Sequence, residues 1–262
     1  MKLIKGTSKG FFGVANDTAR HISQCIQNNE EWFIDWGDET LYHDSTYGDN
    51  VWEYYFKQPF KKNTPYQVVQ DYTELVLLKD SSFRSTMNYI YTNYFILNED
   101  TESKIFNNYK LFEENKVLGV HIRRTDKFLV GMYGTTYRHT PVDLELFKAE
   151  IDMVVNDYDY IYLATDCTDT VKYIKDLYGK KVICNINAIR GNNTTSIHNN
   201  FKNLSGYIKG LNVLTDVIYL SKCKHLIRSS SNVSITSLYL NLDLTWLNVN
   251  EKYHNDSEQE IL

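Results

Sequence analysis

GVHIRRTDKF, residues 119–128, sets the end of an apolar run against a cluster of charges, and its paired arginines decide how the chain is read. Arginine is scarce here: the chain carries seven, against twenty-one lysines. A solvated surface is served equally well by lysine. The planar, bidentate guanidinium fork is what a specific anion such as a phosphate or carboxylate requires. The apolar residues just before it, KVLGVHI, read as a buried strand, so Arg123 and Arg124 emerge where that strand ends.

Outward from this strand the pattern repeats. YIYLATD, KKVICNI, KHLIRSS and LTWLNVN are strand-like and rich in β-branched and aromatic residues. PVDLELFKAEIDMVVND, TDTVKYIKDLYG and GYIKGLNVLTDVIYLSKC are helical and lie between them. Alternating strand and helix predicts an α/β fold with a doubly wound parallel sheet. Towards the N-terminus, Gly10 and Gly13 suit a tight loop. A helix is expected from about Asn16 to Asn28, then a short buried strand, EWFIDW. VWEYYF is apolar and aromatic without a decisive period. DSSFRSTMNYIYTNYFIL reads as a helix capped by Asp80 or Ser81, and another is expected from about Asp100 to Glu114. The boundary between the two halves falls near residue 115.

In an open parallel sheet, ligands bind beyond the carboxyl ends of the strands. Three polar clusters occupy such ends: His121, Arg123, Arg124, Asp126 and Lys127 after the first strand, Asp166 after the second, and Ser229 to Asn232 after the fourth. The last opens a helix, whose free N–H groups suit a phosphate. With the arginines opposite and a carboxylate for ribose or base, the set describes a pocket for a nucleotide diphosphate. Each part has a plainer role. Serines at such turns are usually caps, Asp166 could cap its own helix, the arginines could pair structurally with Asp126, and Lys127 by default is a solvated surface lysine. Their joint occurrence at three strand ends favours function.

Composition narrows the rest. The net charge of −5 argues against a general nucleic-acid binder. The abundance of Asn, Lys, Ile and Tyr reads as AT-rich coding bias, so the tyrosines carry little weight as a sugar-stacking surface. Cys25, Cys167, Cys184 and Cys223 form no CxxC pair, which disfavours a zinc site or disulfide framework. No P-loop, dinucleotide fingerprint, GxSxG or HExxH occurs, and no residue cluster demands a metal. MKLIKGTSKGFFG shows neither a signal peptide nor a membrane span, so a cytoplasmic protein is expected, at most peripheral to the inner face of a membrane.

VLGVHIRRTDK resembles the HxRRxD motif of the α1,6-, α1,2- and O-fucosyltransferases, above all the core α1,6 and bacterial nodulation enzymes. YIYLATD and GYIKGLNVLTDVIYLSKCKHLIRSSSNVS resemble the family's next two regions in the same order, so the resemblance spans most of residues 116–242. GFFGVAND resembles, more weakly, the loop that these enzymes place beside the donor phosphates, with Gly13 and Asn16 at the matching positions. The resemblance implies a GT-B-like architecture of two Rossmann-like lobes with the active site in the cleft. Residues 1–115 would form the acceptor-side lobe and residues 116–262 the lobe that binds GDP-fucose. It implies inverting transfer of fucose to a glycan, for instance a lipid-linked or cell-envelope oligosaccharide, without metal or other cofactor. Arg123 and Arg124 would contact the donor phosphates or fix the loop that does, with Lys127 beside them in the catalytic set. His121 and Asp126 would shape that loop, Asp166 and Asp216 hold the nucleoside, and Ser230, Ser231 and Asn232 line the phosphate end. The chemistry is coherent, because charge that grows on the β-phosphate needs preorganised guanidiniums where no metal serves.

One position departs from the family pattern. The α1,6 enzymes carry a glutamate base four residues after the motif's lysine, where this chain has Gly131. Either a first-lobe carboxylate, Asp35 or Glu53, takes the proton, or the reaction is strongly dissociative and needs little base. Two alternatives stay open: the same fold using another nucleotide sugar, and a catalytically inactive module that binds glycan or nucleotide.

Overall fold

A computed structural model of the 262-residue chain describes residues 1–70, 75–77, 80–106, 110–125, 142–192, 204–254 and 259–261. The first half opens with β1 (Lys2–Lys5), which buries Leu3 and Ile4. Helix α1 (Phe11–Gln27) leads to β2 (Trp32–Asp35), parallel to β1 from Lys2 opposite Trp32 to Lys5 opposite Asp35. The helix begins earlier than the expected Asn16 because Gly10 takes an extended N-cap conformation and Phe11, Phe12, Val14 and Ala15 all bury. Gly13, expected in a loop, therefore lies in the first turns of α1. A β-carbon there would stand 3.1 Å from that of Lys9.

VWEYYF resolves as a short helix, α2 (Val51–Tyr55), capped by the Asn50 side chain, which accepts the Trp52 N–H at 3.2 Å. β3 (Gln67–Val69), which periodicity did not reveal, completes a parallel three-stranded sheet in the order β2-β1-β3. β4 (Leu75–Leu77) follows, then α3 (Ser81–Tyr94), whose Asp80 cap accepts the N–H groups of Ser82 and Phe83 at 2.8 and 3.2 Å. The span expected as one helix holds two, α4 (Glu99–Phe106) and α5 (Lys110–Glu114).

The second half is β5 (Val117–Ile122), α6 (Leu144–Val154), β6 (Tyr160–Thr165), α7 (Thr168–Tyr178), β7 (Val182–Ile183), α8 (Gly206–Lys222), β8 (His225–Arg228), α9 (Asn232–Leu240), β9 (Thr245–Asn248), α10 (Val249–His254) and β10 (Gln259–Ile261). β7 is shorter than KKVICNI suggested, and α10 begins directly after β9. β10 pairs antiparallel with β4. The five-stranded sheet is parallel throughout, in the order β7-β6-β5-β8-β9. The chain walks from β5 out to β7, then crosses back to set β8 on the other side of β5. That reversal makes the carboxyl ends of β5 and β8 the switch point where a doubly wound sheet opens a crevice.

Helices α6 and α7 cover one face of this sheet through Phe147, Ile151 and Ile174. Tyr162, Leu214, Val217 and Leu226 on the other face join a core continuous with that of the first half. Helix α8 docks with almost no clearance. A β-carbon on Gly206 would lie 2.2 Å from the Tyr42 carbonyl oxygen, and one on Gly210 would lie 2.2 Å from the Tyr55 hydroxyl. The same hydroxyl donates to the Tyr207 carbonyl at 2.8 Å. A second bond point is the fully buried Asn16. It accepts from Tyr91 at 2.6 Å and Thr236 at 3.2 Å and donates to Asn232 at 3.3 Å, fastening α1, α3 and α9 together.

Candidate active site

The carboxyl ends of β5 and β8 are stitched together by their own turns. The Ser229 N–H donates to the His121 carbonyl at 2.9 Å, and the Arg123 N–H donates to Ser229 Oγ at 3.1 Å. Asp166, at the end of β6, fixes the next three residues. Its carboxylate pairs with Arg123 Nε at 3.3 Å and accepts the N–H groups of Arg124 and Thr125 at 2.9 and 3.1 Å. It also accepts the Thr125 hydroxyl at 2.7 Å. A buried carboxylate so surrounded is a structural anchor for the arginine turn. Arg124 turns its Nη1 to the Val142 carbonyl at 3.5 Å, while Arg123, about a fifth exposed (22%), lines a cavity.

That cavity holds about 370 Å³ and lies against the ends of β5 and β6. His121, Arg123 and Asp166 line it from the sheet side. From α8 come Lys209, Asn212, Val213 and Asp216, whose spacing of three and four puts them on one helical stripe. Leu41, Tyr42 and His43 close it from the first half. Their loop is locked to the first turn of α8. Lys209 Nζ donates to the Leu41 carbonyl at 3.4 Å, and the Ser205 hydroxyl donates to the Asp44 carboxylate. The Tyr42 hydroxyl accepts the first N–H of α1, from Phe11, at 3.0 Å.

Electrostatics differ sharply across this space. Burial, then the positive charges of Arg123 and Arg228, push the His121 imidazole down to about 3, so it is neutral at any ordinary pH. Among the described residues its Nδ1 has no hydrogen-bond partner. Burial raises Asp216 to about 6, against the opposing pull of the Tyr162 hydroxyl, which donates to it at 2.6 Å, and of Arg190. Burial likewise lowers Lys209. One neutral donor-acceptor ring, a reluctant carboxylate and two cations therefore face a small cavity. That combination suits a ligand with both an anionic group and a heterocyclic or hydroxylated part. A larger depression of about 700 Å³ adjoins it and shares Asn212, but no arginine lines it, so the smaller cavity is the candidate site.

Sequence-predicted residues divide accordingly. His121, Arg123, Asp166 and Asp216 line the cavity; Arg124 supports the turn from behind. Ser231 caps α9 by accepting the Val233 N–H at 3.3 Å, and Ser230 bonds Asn248 and Asn250. Asn232 bonds Asn16, and neither they nor Gly13 line the cavity. Asp35 pairs with Lys5 at 2.9 Å and Glu53 accepts from Gln58 at 3.0 Å, both away from the cavity lining. Asp126, Lys127 and Gly131 lie outside the described residues. Lys209, Asn212 and His43 were not anticipated. The first two could have been read as a polar stripe on an otherwise apolar helix; His43 has no local signal. Among the described residues, no three His, Cys, Asp or Glu side chains gather as metal ligands, and no helix is long and apolar enough to cross a membrane.

Two parallel sheets with a polar cavity at the carboxyl ends of β5 and β6 in the second define a GT-B-like α/β protein. Among solved structures, the chain is similar to NodZ alpha-1,6-fucosyltransferase co-crystallised with GDP, at 14% identity over 92% of each chain with a TM-score of 0.55. The fucosyltransferase NodZ from Bradyrhizobium aligns at 14% identity over 92% of this chain and 93% of its own, with a TM-score of 0.54. A variant of Arabidopsis thaliana FUT1 in complex with GDP aligns at 8% identity over 91% of this chain and 68% of its own, with a TM-score of 0.53. No family model matches the chain, and no curated protein matches it in sequence. The fold is thus that of the fucosyltransferases.

Proposed function

We propose that the chain is an inverting glycosyltransferase that moves fucose from GDP-fucose to a glycan acceptor without a metal ion. The observation that carries this reading is the cavity at the ends of β5 and β6, lined by Arg123, His121 and Asp216 in a fold shared with fucosyltransferases. In this reading the Arg123 guanidinium, with Lys209 across the cavity, takes up the charge that develops on the β-phosphate as the bond to fucose breaks. Asp216 and His121 take the guanosine end. Arg124 and Asp166 act through Arg123, by holding its turn. Residues 1–115 serve as the acceptor-side lobe and residues 116–262 as the donor lobe, and the protein works in the cytoplasm or at a membrane's inner face.

A thermal-shift comparison of GDP, GDP-fucose, UDP and ADP tests this, since a ligand that binds only the native state raises stability by RT ln(1 + [L]/Kd). GDP and GDP-fucose should raise the melting temperature equally with and without a chelator, and UDP and ADP should not. A GDP shift that vanishes on chelation would overturn metal independence. A shift with UDP alone would overturn the donor.

A further inference from the structure

We infer that His43 is the base that takes the proton from the acceptor hydroxyl. This rests on the function proposed above, and it fills the role that Gly131 leaves without a carboxylate. Asp35 and Glu53, the first-half carboxylates considered for that role, are both paired and away from the cavity. Among the described residues, those of the first half that line it are Leu41, Tyr42 and His43. Leu41 has no proton chemistry, and the buried Tyr42 hydroxyl is already engaged by the Phe11 N–H. His43 is half-buried, and among the described residues its ring nitrogens make no hydrogen bond. It is an imidazole from the first half at a cavity that Arg123 lines from the sheet side.

Its surroundings suit the role. The next residue, Asp44, keeps its carboxyl below the usual carboxylate range through the Ser205 hydroxyl first and the Thr46 hydroxyl next, with a smaller contribution from His43 itself. The loop cannot drift, because Ser205 holds Asp44 and Gly206 packs beneath the Tyr42 and His43 carbonyls. In the step, the acceptor oxygen bonds to C1 of fucose while the bond from C1 to the β-phosphate oxygen breaks. The electron pair of that bond stays on GDP, and the hydroxyl proton passes to His43, which later returns it to water.

Among the described residues, the other charged and titratable groups lining this space are Tyr42 on the same loop, Lys209 and Asp216 on α8, His121 and Arg123 after β5, and Asp166 after β6, with Asp44 next to His43 in the chain. Only Asp216 is pushed into the range where an imidazole ordinarily titrates. As a donor-binding group, Asp216 imprints its pH dependence on GDP affinity. His43 imprints its own on turnover at saturating donor.

The test measures conversion of GDP-fucose to GDP at saturating donor, with water as acceptor, from pH 5 to 9, alongside the GDP-induced thermal shift. Wild type is compared with His43→Gln and His43→Asn. Both variants should keep the wild-type GDP shift, lose turnover by ~10²-fold or more, and lose the rise of turnover with pH. Wild-type rate and profile in either variant overturns the assignment, as does loss of the GDP shift, which would make His43 a donor-binding residue. A wild type that binds GDP but turns over independently of pH, or not at all, also removes His43 while leaving nucleotide recognition in place. A wild type with neither GDP shift nor turnover removes the proposed function, and this assignment with it.

Discussion

Arg123 pairs through Nε with Asp166 and at the same time lines the cavity. A lysine at this position could reach the carboxylate or the ligand, but its single ammonium cannot do both, and it has no planar fork for a phosphate. Arg123→Lys should therefore lower GDP-fucose turnover by ~10²-fold or more, with the melting temperature of the free protein nearly unchanged. Steady-state kinetics and a melting curve check the two halves of that statement. Asp166→Ala makes the complementary case. It removes the buried carboxylate on which Arg123 Nε, two backbone N–H groups and a hydroxyl now end. Stability should fall by ~3 kcal/mol, read by urea unfolding, and the GDP shift should disappear because the turn that holds Arg123 is no longer fixed. A near-wild-type GDP shift in Asp166→Ala would show that the turn holds its shape unaided.

At the scale of elements, α8 joins the cavity to the first half, and its glycines are where that junction is tightest. Gly206 faces the backbone of Tyr42, which cannot rotate away, whereas Gly210 faces the Tyr55 side chain. Gly206→Ala should cost ~2–3 kcal/mol through overpacking. Gly210→Ala should cost less when Tyr55 is phenylalanine, and a double-mutant cycle by urea unfolding measures the difference. The strands and helices of the second half were legible because β-branched runs such as VLGVHI bury completely and alternate with amphipathic helices. β3 and the β4–β10 pair were not, since three-residue strands carry too little period. The start of α1 was misread because Gly13 looks like a loop residue until its close neighbours are known. The candidate site was legible where chemistry sits at a strand end, as with His121 and Arg123. It was illegible where it depends on a distant loop folding over, as with His43, and overlooked where only a polar stripe on an apolar helix marks it, as with Lys209.

For the whole molecule, His121 and Asp216, two of the perturbed groups of the cavity, pull stability in opposite directions with pH. His121 sits lower in the folded chain, at about 3 against an ordinary 6.5. The unfolded chain then takes up the proton first, so its contribution is lost as pH falls below about 6.5. Asp216 sits higher, at about 6 against 3.8. Its folded form holds a proton the unfolded form has released, so it destabilises increasingly as pH rises from 3.8 towards 6 and fully above that. Asp216→Asn should accordingly raise stability at pH 7.5 by on the order of 2–3 kcal/mol. The gain should shrink as pH falls through 6, as chemical unfolding at pH 5 and 7.5 would show. The same substitution should abolish the GDP shift, a stability gain bought with function. An equal stability change at both pH values would mean that Asp216 does not titrate in this window.

The clasp between loop 40–44 and the first turn of α8 also bears on how such a chain can be recombined. A chimera spliced near residue 115, joining this second half to a foreign first half, would inherit Gly206 and Gly210 without the Tyr42 and Tyr55 that fill the space above them. It would also inherit Ser205 and Lys209 without Asp44 and the Leu41 carbonyl. The inheritable unit behind this cavity wall is therefore discontinuous. It comprises the loop, the short helix α2 and the opening of α8, and a graft that respects the sequence boundary while ignoring that clasp would open a seam along the wall of its own cavity.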